Sequence, residues 1–246
     1  FYTLAGGFLA VCWTDFIQGV MMFFAILVVP ICAAMQCGGF ESTVTAIQHV
    51  QSTMLEPLTK PDGSTLGAIE LISLLAWGIG YFGQPHIIVR FMAVRSVKDV
   101  PTARRIGMSW MIVSLIGAVA VGVFGRAYAL RTGLDVADPE TIFIILSDLL
   151  FHPLVTGFLY AALLAAIMST VSSQLLVASS SLTEDIYLTV FKRNATEREL
   201  VNVGRLAVLA VGAVAVIIAS DPDSQVLGLV ANAWAGFGAA FGPLII

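Results

Sequence analysis

An all-α protein that threads a membrane several times is the fold class this 246-residue sequence predicts, and three observations predict it. Hydrophobic residues make up 58% of the chain and charged residues only 11%, against about a quarter charged in soluble domains, and the mean hydropathy is +0.93. The apolar residues come in long runs, and about 20 such residues suffice for a helix to cross hydrocarbon. Polar segments rich in Gly, Pro and Asp separate the runs, and the basic residues gather in alternate segments, as they do when those segments share the cytoplasmic side.

The residues from Phe1 to Met35 are apolar for longer than one span needs, and Thr14-Asp15 is the strong interruption. This predicts the end of one helix over residues 1–13, a turn near Thr14, and a span over 16–35. Residues 36–66 are polar, with Gly38-Gly39, Pro57 and Pro61-Asp62-Gly63 as turn signals, and read as an exposed loop with room for one short helix. A span over 68–92 follows and is treated separately below. Residues 106–130 form the next span, and the acidic segment 131–152 holds a weakly amphipathic stretch, Thr141 to Leu150, read as lying along the interface. One long helix is expected over 154–187, then spans over 200–219 and 226–246, with Ser220-Asp221-Pro222-Asp223 as the tight turn between them. All of this belongs to a single transmembrane domain, 1–246.

The basic residues test the layout. Arg90, Arg95, Lys98, Arg104, Arg105, Lys192, Arg193, Arg198 and Arg205 fall on one side of it, and Lys60, Arg126 and Arg131 on the other. The first side is therefore cytoplasmic, and the loops at 36–66, 131–152 and 220–223 are external. The net charge of −4 argues only weakly against nucleic acid as a partner. Cys12, Cys32 and Cys37 lie in or beside apolar runs without metal-ligand spacing and read as small buried hydrophobes. Phe1 stands inside an apolar run with no initiator Met and no signal-peptide cleavage site, so the chain reads as a piece of a longer protein.

The span LISLLAWGIGYFGQPHIIVRF, Leu71 to Phe91, points to a site. Gly78, Gly80, Gly83 and Pro85 are poor helix formers, and Pro85 also removes a backbone donor. A break inside hydrocarbon is tolerated only where protein, water or a ligand satisfies the freed backbone groups. Trp77 and Tyr81, four apart, share a face if the helix persists that far, and freed carbonyls and N–H groups there could hold both ends of a zwitterion. Close packing of a kinked helix is the competing explanation. His86 follows Pro85 but reads as a structural histidine.

Two further sets of residues could carry chemistry. In AALLAAIMSTVSSQLLVASSS, Ala161 to Ser181, the residues Ala166, Ser169, Thr170 and Ser173 form one helical stripe with Ser172 beside it. Hydroxyls and loosened carbonyls there suit sodium, a hard ion that wants about six oxygens, and would equally make a small-residue packing face. Asp15, a carboxylate near the end of a span, marks an ion path or is simply solvated. No nucleophile, acid–base pair or metal cluster is present for covalent catalysis, so an enzyme is not expected.

Five strings, GGFLAVCWTDFIQ (6–18), LAWGIGYFGQPHIIVRFMA (75–93), ARRIGMSWMI (103–112), LLAAIMSTVSSQLLVASSSLTEDIY (163–187) and LGLVANAWAGFGAAFGP (227–243), resemble the sodium/solute symporter family in order along the chain, and within it the branch that carries proline. The resemblance implies a LeuT-like inverted-repeat transporter of which only the second repeat and the end of the first are present, in a bacterial plasma (inner) membrane. It implies sodium-coupled uptake of L-proline by alternating access. Trp77, Tyr81 and Pro85 match positions that contribute to the proline pocket; Ala166, Ser169 and Thr170 match one half of the shared sodium site. Asp15, Ser172 and Ser173, with Ser169, match a second sodium site that some members hold. The implied partners are proline, sodium, the lipid bilayer and the helices that precede Phe1 in the same protein, the first core helix above all. The alternatives are a sodium symporter for pantothenate, a sugar or sialic acid, and a membrane sensor or channel that sodium merely biases.

Overall fold

The computed structural model describes residues 2–50, 52–60, 62–220 and 226–245 of the chain. Among them the only β pairing is an isolated bridge between Thr59 and Thr65; the rest is helix and turn. Among the described residues four helical segments, 6–36, 97–132, 153–191 and 197–218, are long and apolar enough to cross a membrane, and a pair of helices bent by 52° at Gln84 makes a fifth span. The protein is thus all-α and polytopic, as its composition predicts. The chain divides into two compact units, one of residues 1–15, 71–95 and 168–246, the other of residues 16–70 and 96–167.

Helix α1 covers Tyr2–Gln36, with its interruption at Gly7, whose φ of 56° and ψ of −149° lie outside helical geometry. The turn expected at Thr14 is therefore absent. Thr14 folds its hydroxyl back to donate to the carbonyls of Ala10 at 2.9 Å and Val11 at 3.0 Å, so the polar residue is satisfied without leaving the helix.

In the second unit, α1 meets α5 (Val100–Thr132), α6 (Ile142–Leu150) and the start of α7 (Pro153–Ser180) around a core of Ala25, Val29, Val121, Leu146 and Leu159. Small residues bring the backbones together: a Cβ at Gly117 would stand 3.0 Å from the carbonyl oxygen of Ile26. Helix α5 begins with Pro101 in its first turn and ends on Gly133 in the left-handed region at φ 69°, the usual pairing of Pro at a helix start and Gly just past its end.

Two segments read from sequence as peripheral are packed. Helix α2 (Phe40–Val50) rises from the 36–66 loop and buries Thr43 and Ile47, the latter with Cys37 and Ala127. Helix α6 does not lie free along an interface: Leu146 and Ser147 are fully buried, and the Ser147 carbonyl accepts the Thr156 hydroxyl at 2.9 Å. Both segments carry a narrow apolar stripe that a packed surface, as well as a lipid headgroup layer, can cover.

In the first unit, α3 (Ala68–Ala76) runs into a 3₁₀ turn over Trp77–Gly83, and α4 (Pro85–Met92) restarts after Gln84. Helix α7 continues past Ser180 as π-helix over Ser181–Phe191, four residues beyond the expected end. Helix α8 (Glu197–Ile218) opens with a capping box: Thr196 accepts the Glu199 N–H at 3.4 Å, and Glu197 and Glu199 stand in the first turn. Helix α9 (Val226–Ile245) packs on the 3₁₀ turn. The predicted turn around Asp221 to Asp223 lies outside the described residues.

Candidate functional site

The break in the 68–92 span has a local cause. Gln84 precedes Pro85, and the proline ring disfavours helical ψ in the residue before it. Gln84 adopts φ −85° and ψ 105°, and Pro85 becomes the first residue of α4, where its missing N–H costs nothing. The Gln84 carbonyl then accepts the N–H groups of Ile87 and Ile88 at 3.0 and 3.1 Å, while its own N–H donates to Tyr81 O at 3.2 Å.

Of the glycines ahead of the break, Gly80 and Gly83 face α9 and Gly78 is exposed with open space beside it. A Cβ at Gly80 would run into the Trp234 indole, and one at Gly83 would meet Phe241 at 2.7 Å and Phe237 at 2.9 Å. Gly238 of α9 sits directly over Gly80, its own virtual Cβ 3.4 Å from the Gly80 nitrogen. Close packing, the competing explanation for the kinked helix, is therefore part of the role of Gly80 and Gly83.

Trp77 and Tyr81 meet on one partner. The Trp234 ring stacks on Trp77 with centroids 6.0 Å apart and planes 20° from parallel, and it meets Tyr81 edge-on at 4.9 Å and 86°. Its Nε1 donates to the Trp77 carbonyl at 2.9 Å, so a protein side chain satisfies one backbone group of the 3₁₀ turn. Pro85 stands elsewhere, on the walls of two cavities. One, of about 540 Å³, is bounded by Gln84, Pro85, Gln174, Ser181, Trp234 and Phe237. The other, of about 610 Å³, has Phe8, Pro85 and Phe241 on its apolar walls and Glu184 and Asp185 among its polar residues.

Asp15 is neither simply solvated nor open. Arg90 donates from Nη2 to Asp15 Oδ2 in an ion pair and to Ser173 Oγ at 2.6 Å, and from Nη1 to the His86 carbonyl at 2.6 Å. The Ser173 hydroxyl lies 3.1 Å from Asp15 Oδ2 and 2.7 Å from the Ser169 carbonyl, which also accepts the Ser172 hydroxyl at 3.1 Å. Ser172 and Ser173 are buried. Asp15 Oδ1 is buried with no hydrogen-bond partner among the described residues. The structure thus gathers Asp15 and Ser173, with Ser172 beside them, and adds Arg90, which sequence reasoning placed among the cytoplasmic charges. The signal was present: an intramembrane Asp and an intramembrane Arg in one chain are expected to pair.

The third set lies on α7, whose α-helical geometry over Ala166 to Ser173 keeps Ala166, Ser169 and Thr170 on adjoining positions of one face. Ala166 borders a cavity of about 340 Å³ in the second unit, walled by Ala25, Ile26, Val121 and Phe143 with Glu140 among its lining. Ser169 and Thr170 belong to the first unit, Ser169 half-buried and Thr170 exposed. Trp234, like Arg90, escaped the sequence reading; a Trp flanked by Ala233 and Ala235 gives no sign of which neighbour it fills.

The chain matches the model of the sodium:solute symporter family over residues 1–246. It is 57% identical over 245 residues to the high-affinity proline transporter PutP of Bacillus subtilis, covering 100% of this chain and 51% of that protein. It is 54% identical to the osmoregulated proline transporter OpuE of the same organism, of which it covers 49%, and 55% identical over 249 residues to sodium/proline symporter 2 of Staphylococcus saprophyticus, of which it covers 48%. No solved structure matches it. The chain spans about half the length of the curated relatives it matches. With a full-length family match, a broken span and a polytopic all-α fold, the chain belongs to the sodium:solute symporter family.

Proposed function

We propose that the whole protein of which this chain is a part is a secondary active transporter in the bacterial plasma membrane that takes up L-proline with sodium by alternating access. The observation that carries this reading is the broken span, Ala68–Gly83 bent by 52° against Pro85–Met92, with two aromatic rings at the 3₁₀ turn and Pro85 opening a new helix. Broken helices at mid-membrane are where transporters of this kind hold small zwitterions. The names of the relatives, proline transporters and sodium/proline symporters, favour proline over pantothenate, sugars and sialic acid. A LeuT-like inverted repeat, of which this chain holds the second half, accounts for one broken helix here and calls for another in the preceding half.

In this reading Trp77, Tyr81 and Pro85 form one wall of the proline site, the first two through ring faces and the third through the cavity it borders. Sodium takes the Ala166 carbonyl and the Ser169 and Thr170 hydroxyls from α7, and a core helix outside this chain supplies the remaining ligands. A second sodium at Asp15, Ser172 and Ser173 has to share the Asp15 carboxylate with Arg90, which makes Oδ1 its open ligand. The coupling is energetically sufficient. One charge crossing about 150 mV releases about 3.5 kcal/mol and a tenfold gradient about 1.4, enough for accumulation on the order of a thousandfold. In the full-length protein, Ser169→Ala with Thr170→Ala is expected to raise the sodium concentration for half-maximal uptake by about tenfold, the scale of two lost ligands. An unchanged sodium dependence would remove these residues from the site.

A further inference from the structure

Trp234 is the residue that ties the three proposed substrate residues together. It stacks on Trp77, meets Tyr81 edge-on, holds the Trp77 carbonyl through its Nε1, and lines the 540 Å³ cavity that Pro85 also borders. Its immediate neighbours on the helix are small, Ala233, Ala235 and Gly236, so the indole stands clear of them, and it is half-buried. Opposite it the chain carries Gly80, where any Cβ would collide with the indole ring. A ring seated in a glycine gap with its N–H on a backbone carbonyl has little freedom to turn.

We propose that Trp234 is a positioning residue of the substrate site. It fixes the tilt of the Trp77 and Tyr81 rings and the direction of the Trp77 carbonyl, and so sets the shape that a small cyclic amino acid meets at the 3₁₀ turn. The proposal rests on the reading of this span as the proline site and adds a residue from another helix. The carbonyl of Trp77 lies in a segment that has left α-helical geometry, and the indole N–H is a second donor to it that anchors this carbonyl to α9. The two ring contacts are of the geometry that gives aromatic pairs a preferred angle beyond simple burial. Loss of Trp234 frees both at once.

The test uses the full-length protein, with labelled proline uptake and sodium dependence measured and normalised to the amount of protein in the membrane. Trp234→Ala is expected to raise the half-saturating proline concentration by about tenfold, and Trp234→Phe, which keeps an aromatic ring but loses the N–H and part of the ring bulk, by about threefold, with the sodium concentration for half-maximal uptake unmoved; such a split separates substrate binding from a general defect. Gly80→Ala pushes the indole out and should match Trp234→Ala. Gly80→Ala combined with Trp234→Ala should be no worse than Trp234→Ala alone, because the clash partner is gone. If Trp234→Ala fails to accumulate, Trp234→Phe carries the test. Tyr81→Ala is the control for the site itself. A raised proline requirement in Tyr81→Ala with none in the Trp234 variants overturns the positioning role and leaves the substrate site standing. Equal shifts in proline and sodium dependence, or independent, multiplying effects of Gly80→Ala and Trp234→Ala, also overturn it. An unaltered Tyr81→Ala overturns the substrate reading and this proposal with it.

Discussion

Replacing Arg90 by Gln removes the cation from a carboxylate that has little access to water. The Asp15 side chain is 17% exposed and Arg90 39%, so the pair sits between a buried ion pair, where loss of one partner costs about 3–5 kcal/mol, and a surface pair worth less than about 1. Ser173 remains to donate to Asp15 after the change, which lowers the loss further. We expect Arg90→Gln to destabilise the full-length protein by about 2 kcal/mol, most of it the penalty of leaving Asp15 charged and poorly solvated. Asp15→Asn should cost about 1 kcal/mol, because Arg90 keeps the His86 carbonyl and the Ser173 hydroxyl and is more than a third exposed. The double variant has no unpaired charge and should lose about 1–1.5 kcal/mol, well under the sum of the singles, a coupling that a double-mutant cycle reads directly. Unfolding of the purified protein in mixed micelles with increasing dodecyl sulfate measures all four. Additive losses would show that the pair carries no coupling and that Asp15 is satisfied by other means.

Two other consequences follow from the packing. Gly83→Ala places a methyl 2.7 Å from the Phe241 ring and 3.0 Å from the Phe237 carbonyl; backbone on one side cannot yield, so a loss of about 1–3 kcal/mol from overpacking is expected in the same assay, and neutral behaviour would mean that α9 is free to slide on the broken span. Arg131, in the last turn of α5, donates to the Cys37 carbonyl at the end of α1, beside Gly38 and Gly39 at φ 84° and 98°. Arg131→Ala should raise hydrogen exchange across residues 37–50 by about tenfold, the scale of one charge-assisted bond at a helix C-terminus, and leave sodium dependence unmoved; unchanged exchange would show that burial of Thr43 and Ile47 alone holds α2.

Much of the organisation is legible in the residues because hydrocarbon imposes simple demands. The long apolar runs and the glycines and proline that break the 68–92 span each follow from backbone groups that must be paired. The misplaced features share a different cause. Thr14 looked like a turn because Thr-Asp interrupts an apolar run, yet its hydroxyl bonds backward and Asp15 finds Arg90 from 75 residues away. Helices α2 and α6 looked peripheral because their sequences are polar or short, and only the tertiary neighbours Ala127 and Val121 show that they are packed. Of the candidate site, Trp77 and Tyr81 were legible as a pair from their spacing, and Asp15 with Ser173 only through the family resemblance. Arg90 carried a signal, a cation inside the 68–92 span for Asp15 to pair with, that its grouping with the cytoplasmic charges hid, and Trp234 carried none, since it acts through a gap at Gly80 that only the fold brings opposite it.

Uptake of labelled proline by the full-length protein reconstituted in sealed liposomes tests the proposed activity most directly. An inward sodium gradient should drive proline above its external concentration, and unlabelled proline should compete where pantothenate, galactose and sialic acid do not. Accumulation that persists when potassium or choline replaces sodium, or sodium current without proline flux, would contradict sodium–proline coupling at the broken span.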